Sequence, residues 1–338
     1  MPTEPREPKP DWRDVPPALR EKIAAIAGEP IVEAATVWGG FGPAATFALT
    51  TTSGARHFCK GTHPGNTPAG HAAMLRECRN LASFPELARF GPAWRGMAQE
   101  GDWHLAVLEF VDRVEEIPPW TSQAVRRAID LIAAFHAATP DRAAQALAEG
   151  TASDLIAQTQ NWHSLRDAAV RQGFLALFGD PQAAALWLEP QLDRLIALKD
   201  RAAALGGPRG WMHMDIRSDN LVFAGDGLLL VDWPVLSYGP QLLDIAFFLP
   251  SLAGESGPSC AEGLKLYERA TGFRFADEDI AVAAAAVAGF FAARAGTAEI
   301  PALPRLRWIQ KLQLFPALDW LSACLGIEFP PLPRPFRA

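Results

Sequence analysis

His213, Asp215, Asn220 and Asp232 are the residues of this 338-residue chain whose types and spacing could do chemistry. They lie in the stretch WMHMDIRSDNLVF and the apolar segments just after it. Asn220 leads into Leu221-Val222-Phe223, then Ala224-Gly225-Asp226-Gly227, then Leu228 to Val231, and then Asp232. Gly-Asp-Gly between two short apolar runs is a hairpin signal. In an antiparallel hairpin the start of the first strand lies beside the end of the second, so Asn220 and Asp232 are expected side by side. A carboxylate and an amide oxygen converging there are hard ligands suited to Mg²⁺. Asp215, five residues before Asn220, would project from the adjoining loop into the same space. Singly, each residue could be an ordinary turn former. As a set, H-x-D-x-x-x-x-N followed by a strand pair ending in Asp-Trp has the types and spacing of a base and two metal ligands in kinase-like phosphoryl transfer.

Such a site needs a nucleotide grip, and the first half of the chain carries candidates. Gly39-Gly40-Phe41-Gly42 lies between two predicted strands, an arrangement that suits a flap over phosphates. There is no G-K-[ST], and no helix follows, so neither a P-loop nor a Rossmann turn fits. Lys60 ends the strand HFCK, on the same side as apolar Phe58. Glu77 lies on or beside the apolar face of the next predicted helix, and Lys60 is its natural partner. Leu105 to Val111 is an apolar strand running into a linker, where an adenine edge would bond backbone groups near Glu109 and Val111. Each feature also has an ordinary reading: a Gly-rich hairpin, a snorkelling lysine, a helix-edge glutamate, a plain sheet strand.

The elements that must hold these residues follow from pattern. Residues 1–17 are Pro-rich and charged and read as a flexible lead. PPALREKIAAIAG reads as a short helix stopped by Gly28. IVEAATVW, AATFALTT, ARHFCK, AWRGMAQ and DWHLAVLEFV read as strands, and HAAMLRECRNLASF as a helix with Met74, Cys78 and Leu81 on one face. Residues 30–111 are thus expected to form one helix on a five-stranded antiparallel sheet. Beyond them the pattern turns helical, over 121–139, 151–170, 181–205, 259–271, 277–295 and 303–325, with LVF and LLLV as the only strand-like pieces. The division is a lead (1–17), a small β lobe (18–112) and a helical lobe (113–338).

Composition bounds the function. The chain is 49% hydrophobic and 20% charged, which reads as soluble and globular, and its net charge of −7 argues against nucleic acid. Four scattered cysteines with no C-x-x-C fit a reducing, cytoplasmic setting. The N-terminal segment lacks the apolar core of a signal peptide. The longest apolar run, Ile280 to Ala293, is 14 residues and suits a buried helix rather than a membrane span. The expected partner is a small hydroxylated acceptor, with neither nucleic acid nor membrane; oligomeric state is left open.

The chain resembles the aminoglycoside phosphotransferase (APH) family of kinase-like small-molecule kinases over roughly residues 30–325. The likeness is strongest in 213–250, where H-x-D-x-x-x-x-N, V-D-W and G-P-x-x-x-D-[IL]-A combine. The resemblance implies an α+β, two-lobed protein-kinase-like fold with a small antiparallel β N-lobe and a larger, mostly α C-lobe. It implies transfer of the γ-phosphate of ATP, or alternatively GTP, to a hydroxyl of an aminoglycoside, other antibiotic or amino-sugar-like compound, with a place in antibiotic resistance. By resemblance Asp215 is the base, Asn220 and Asp232 hold Mg²⁺, and Lys60, oriented by Glu77, holds phosphates. Gly39, Gly40 and Gly42 would cover those phosphates, and His213 would brace the catalytic loop. Asp244 would hold that loop from a neighbouring helix or simply stabilise a helix N-terminus, and His136 would be a packed structural residue. Arg217 would touch the γ-phosphate or pair with Asp219.

The departures from that pattern matter. Asp232 is followed by Trp-Pro, and neither A-P-E nor H-R-D is present, which argues against a protein kinase. The segment from Pro301 carries more Arg and Lys than Asp and Glu, so a carboxylate-rich pocket for a polycation is not marked. The alternative of a different class is a non-catalytic nucleotide-binding module. The complete set Lys60, Glu77, Asp215, Asn220 and Asp232 speaks against it.

Overall fold

The computed structural model describes residues 7–38, 42–147, 161–225, 227–301 and 303–330. These group into two compact units. The first is drawn from residues 1–116, 219–236 and 301–304, and the second from 117–218, 237–300 and 305–338.

The first unit is built on five antiparallel strands: β1 (Ile31–Thr36), β2 (Ala45–Thr51), β3 (Arg56–Thr62), β4 (Trp94–Glu100) and β5 (Trp103–Glu109), in the order β1-β2-β3-β5-β4. Alternation along β2 buries Ala45, Phe47, Leu49 and Thr51 and leaves Thr46, Ala48 and Thr50 half-buried on the other face. Phe47, Leu49, Cys59, Leu105 and Val107 share one core with Val15, Leu19 and Ile23. The last two come from helix α1 (Pro17–Ala27). Gly28 ends α1 with φ of +87°, a conformation that costs glycine nothing. Where composition suggested a flexible lead, Asp11 caps the turn Trp12–Asp14 and Trp12 packs edge-on against Phe47 at 5.1 Å. Helix α2 (Pro68–Ser83) starts where Thr67 accepts a hydrogen bond from the Gly70 N–H at 3.1 Å. It buries Met74, Cys78 and Leu81, the stripe legible in sequence, and Glu77 with them.

The hairpin of Leu221–Ala224 and Gly227–Leu230 belongs to this unit by packing, although its place in the chain lies within the helical half. The Leu230 N–H donates to the Phe90 carbonyl at 2.6 Å, and the Val114 N–H to the Phe223 carbonyl at 2.8 Å. A side chain at Gly91 would run into the Leu230 carbonyl, so the chain after α2 approaches the hairpin as only glycine allows.

The second unit is helical: α3 (Ser122–Ala137), α4 (Ala168–Leu175), α5 (Pro181–Asp200), α6 (Gln241–Gly254), α7 (Cys260–Thr271), α8 (Asp277–Ala295) and α9 (Leu306–Leu325), besides short turns. The Ala-rich run forms most of α8 and is buried almost all round. No helix among the described residues is long and apolar enough to cross a membrane. Sequence reading missed the strand pair Arg209–Met212 and Ser237–Pro240, whose four-residue strands contain Gly210, Gly239 and Pro240 and carry no readable alternation. Pattern alone also left out α6, whose residues from Gln241 to Leu252 are all buried and so show no amphipathic period; only the family resemblance put Asp244 on a helix. Part of the helix expected over 151–170 lies outside the described residues; Trp162–Arg166 is a 3₁₀ turn, followed by α4.

The turn joining β2 to β3 gives the fold an acid-sensitive tie. Glu29 accepts hydrogen bonds from the Ser53 N–H at 2.8 Å and the Thr52 hydroxyl at 3.0 Å. These bonds, the Ser53 backbone first, hold its pKa down from 4.5 to about 2. A carboxyl depressed in the folded state stabilises above pH 4.5 and loses that contribution as pH falls through about 2. Glu29→Gln should therefore lower Tm at neutral pH, and the gap from the wild type should close as pH falls through that window. Thermal melts from pH 5 to about pH 2 check this, and two parallel acid limbs would contradict it.

Candidate active site

Strand alternation puts Lys60 on the half-buried face of the sheet, opposite Thr46 on β2 and Ala106 on β5. Its Nζ lies 2.7 Å from Glu77 Oε1 and also pairs with Asp232 Oδ1. Glu77 makes a second contact, accepting the Trp233 N–H at 3.0 Å, and Asn80 Nδ2 donates to the Trp233 carbonyl at 2.8 Å. Helix α2 therefore holds both the lysine and the backbone directly after Asp232. Burial alone would lower the Lys60 pKa, but Asp232 and Glu77 outweigh it and the net shift is upward, so the ammonium stays charged. Burial raises the Glu77 pKa, against the pull of Lys60, and Asp232 adds to the rise.

The hairpin register pairs Leu221 with Leu230, and the Val231 N–H donates to the Asn220 carbonyl at 3.0 Å. Asn220 and Asp232 thus stand beside one another at the open end, as the turn chemistry implied. Asn220 is buried, whereas the Asp232 side chain is 45% exposed. Asp232 also has φ of +70°, a left-handed conformation that aspartate tolerates better than most residues. Among the described residues no three His, Cys, Asp or Glu side chains converge as a metal cage. Two oxygen donors at one rim fit Mg²⁺, which keeps waters and substrate oxygens in its shell and seldom uses an all-protein cage.

Lys60, Glu77, Asn220 and Asp232 line one cavity of about 450 Å³ in the first unit, together with Glu109 and Val111. Val37, Phe58 and Leu108 give it apolar walls, the usual make-up of a small-molecule site. The Glu109 N–H is committed to the Ala93 carbonyl at 2.9 Å. Gly39 and Gly40 lie outside the described residues, and Gly42 is not among those lining the cavity.

The remaining candidates sit in the second unit. The strand Arg209–Met212 runs into His213, and the loop that follows hangs on Asp244 in the first turn of α6. The N–H groups of His213 and Met214 donate to Asp244 Oδ2 and Oδ1 at 2.9 and 2.6 Å. His136 Nε2 lies 2.9 Å from Asp244 Oδ2, and its Nδ1 lies 2.6 Å from the Tyr267 hydroxyl. His136 and Asp244 are both buried and structural, the reading sequence favoured for the histidine. His213 Nδ1 accepts the Asp215 N–H at 3.3 Å, a long bond that bends the loop back on itself. Arg217 pairs with Asp215, the candidate base itself, a partner that neither sequence reading had considered. Glu255, which sequence reasoning missed, ties Ser218 Oγ at 2.6 Å to Trp120 Nε1 at 3.0 Å. It lies just past the end of α6 with no motif around it, so no sequence signal marked it. Chemically, the first unit offers a charged lysine and two oxygen donors for a polyanion with a metal; the second offers a half-buried carboxylate beside a guanidinium.

These features define the class of a kinase-like phosphotransferase, and comparison with known proteins agrees. The chain matches the phosphotransferase enzyme family (APH) over residues 33–280. No curated protein matches it in sequence. Among solved structures it is similar to a candidate fructosamine-3-kinase from Thermobifida fusca: 19% identity, 88% of this chain and 99% of that one covered, TM-score 0.54. It is similar to an aminoglycoside-3'-phosphotransferase of type VIII: 20% identity, coverage 81% and 100%, TM-score 0.51. It is also similar to a spectinomycin phosphotransferase solved with ADP and spectinomycin: 13% identity, coverage 90% and 97%, TM-score 0.52. The chain belongs to the phosphotransferase enzyme family and has its protein-kinase-like fold. It is a small-molecule phosphotransferase.

Asp244 is the support on which the 213–217 loop depends. Asp244→Ala removes a buried acceptor shared by two backbone N–H groups and a buried histidine. The expected cost is about 3 kcal/mol or more, a drop in Tm of roughly 6–12 °C for a unit of this size. Differential scanning calorimetry tests it, and an unchanged transition would mean the loop is held by other contacts.

Proposed function

We propose that the protein transfers the γ-phosphate of ATP, or of GTP in its place, to a hydroxyl group of a small molecule, with Mg²⁺. The observation that carries this reading is the buried Lys60–Glu77 pair with half-exposed Asp232 on the same lysine and Asn220 beside it, in a cavity with apolar walls. Lys60 would hold nucleotide phosphates, oriented by Glu77. Asn220 and Asp232 would hold the metal, which neutralises phosphate charge when bound. Glu109 has its N–H committed to Ala93, so an adenine edge is better served by the backbone at Val111. Gly39, Gly40 and Gly42 remain the candidates for a flap.

Asp215 would accept the proton of the acceptor hydroxyl as attack proceeds. Arg217, bonded to that carboxylate, would fix its direction, and His213 and Asp244 would fix the loop. Most of the acceleration would come from positioning and charge neutralisation. The acceptor is a hydroxyl compound of the aminoglycoside, antibiotic or amino-sugar kind, such as the spectinomycin bound by a similar structure. Four unpaired cysteines, three of them buried, support a reducing, cytoplasmic setting.

Asp215→Asn should lower turnover at least about 100-fold, the lower range for loss of a general base, with nucleotide affinity nearly unchanged. ADP release measured over aminoglycosides, amino sugars, peptide antibiotics and amino alcohols identifies the acceptor for this comparison. An Asn variant as fast as the wild type would remove Asp215 from the role of base.

A further inference from the structure

The cavity described above is poor in positive charge. Its lining sets Lys60 and Arg113 against the carboxylates of Glu77, Glu109, Asp112, Glu116, Asp219 and Asp232. Lys60 is itself shared between two of these. A nucleoside polyphosphate would meet a lining of its own sign, and a metal alone would have to offset much of the repulsion.

Further cations reach the cavity wall: Arg56, which pairs with Asp112 and stacks on Phe110, and, from the N-terminal segment, Lys9. Lys9 Nζ donates to Thr46 Oγ1 at 2.7 Å. Thr46 lines the cavity and stands directly opposite Lys60 across β2 and β3. Opposite residues in antiparallel strands share a face, with Cβ atoms about 5 Å apart, so the hydroxyl that holds Lys9 lies on the same face of the sheet as Lys60. The hydroxyl is itself oriented, since Thr46 Oγ1 donates to the Val37 carbonyl at 2.7 Å and thereby turns a lone pair to Lys9. The segment bearing Lys9 is anchored. Asp11 and Asp14 form a reciprocal cap, Trp12 packs on Phe47, and Val15 is buried. Phe47 is the neighbour of Thr46 in β2 and points to the opposite face, so the segment grips both sides of one strand.

We infer that Lys9 is a phosphate-binding residue of this cavity, its ammonium held by Thr46 where it contacts the polyphosphate of the bound nucleotide. The inference rests on the nucleotide-binding reading of the cavity given above. The competing explanation is that Lys9 only fastens the N-terminal segment to β2.

Binding separates the two. ATP, GTP and adenosine are titrated calorimetrically, with Mg²⁺, into the full-length wild type, Lys9→Ala and Lys9→Arg. The expected result is ATP affinity about tenfold weaker in Lys9→Ala, adenosine affinity unchanged, and most of the ATP loss restored in Lys9→Arg. Wild-type ATP affinity in Lys9→Ala would overturn the inference and leave the cavity's reading intact. Equal losses for ATP and adenosine would overturn it in favour of a fastening role. A wild type that binds neither ATP, GTP nor adenosine would overturn both.

Discussion

One buried ammonium between two carboxylates organises the first unit. Lys60 cannot be charged on that face of the sheet without partners, because a desolvated ammonium costs several kcal/mol. Glu77 cannot be charged in the apolar face of α2 for the same reason. Each makes the other tolerable, and the pair fixes α2 against β3. The Trp233 N–H on Glu77 then brings the end of the hairpin to the same point, so a helix, a strand and a distant loop share one carboxylate. Removing Glu77 would leave a buried charge and an unpaired N–H together, which is why this node, and not any single strand, sets the geometry of the cavity.

Local pattern made much of this legible. Lys60 and Phe58 share a face by simple alternation, and Glu77 follows Met74 by three on a helix, so their meeting needed only a sheet with a helix on it. Asn220 and Asp232 met because two short apolar strands pair in register, Leu221 opposite Leu230. Packing between segments far apart in sequence was not legible. Nothing in LVF or LLLV says that the hairpin docks on α2 through Asn80 and Trp233, or that Gly91 is the point of close approach. The strands beside the 213–217 loop were too short to show a period, and α6 was too evenly buried to show one. Trp12 reads as a lone aromatic in a Pro-rich lead; only the structure gives it Phe47 to pack on.

Asp232 and Asp244 are satisfied in different ways, one open to a further ligand and the other closed to it. Asp244 is fully buried, and its two oxygens meet two backbone N–H groups and the His136 ring. A carboxylate has about four lone-pair sites, so three are taken in directions set by the loop and α3. A metal could enter only by breaking bonds that hold the loop. The Asp232 side chain is nearly half exposed, its firm partner is a lysine, and its backbone sits in a conformation that turns it out of the strand. Ion pairing lacks the directional demand of backbone bonds, so a divalent ion could share or replace the ammonium at small structural cost. The difference lies in how each carboxylate is satisfied: by fixed donors at Asp244, and by an exchangeable charge at Asp232.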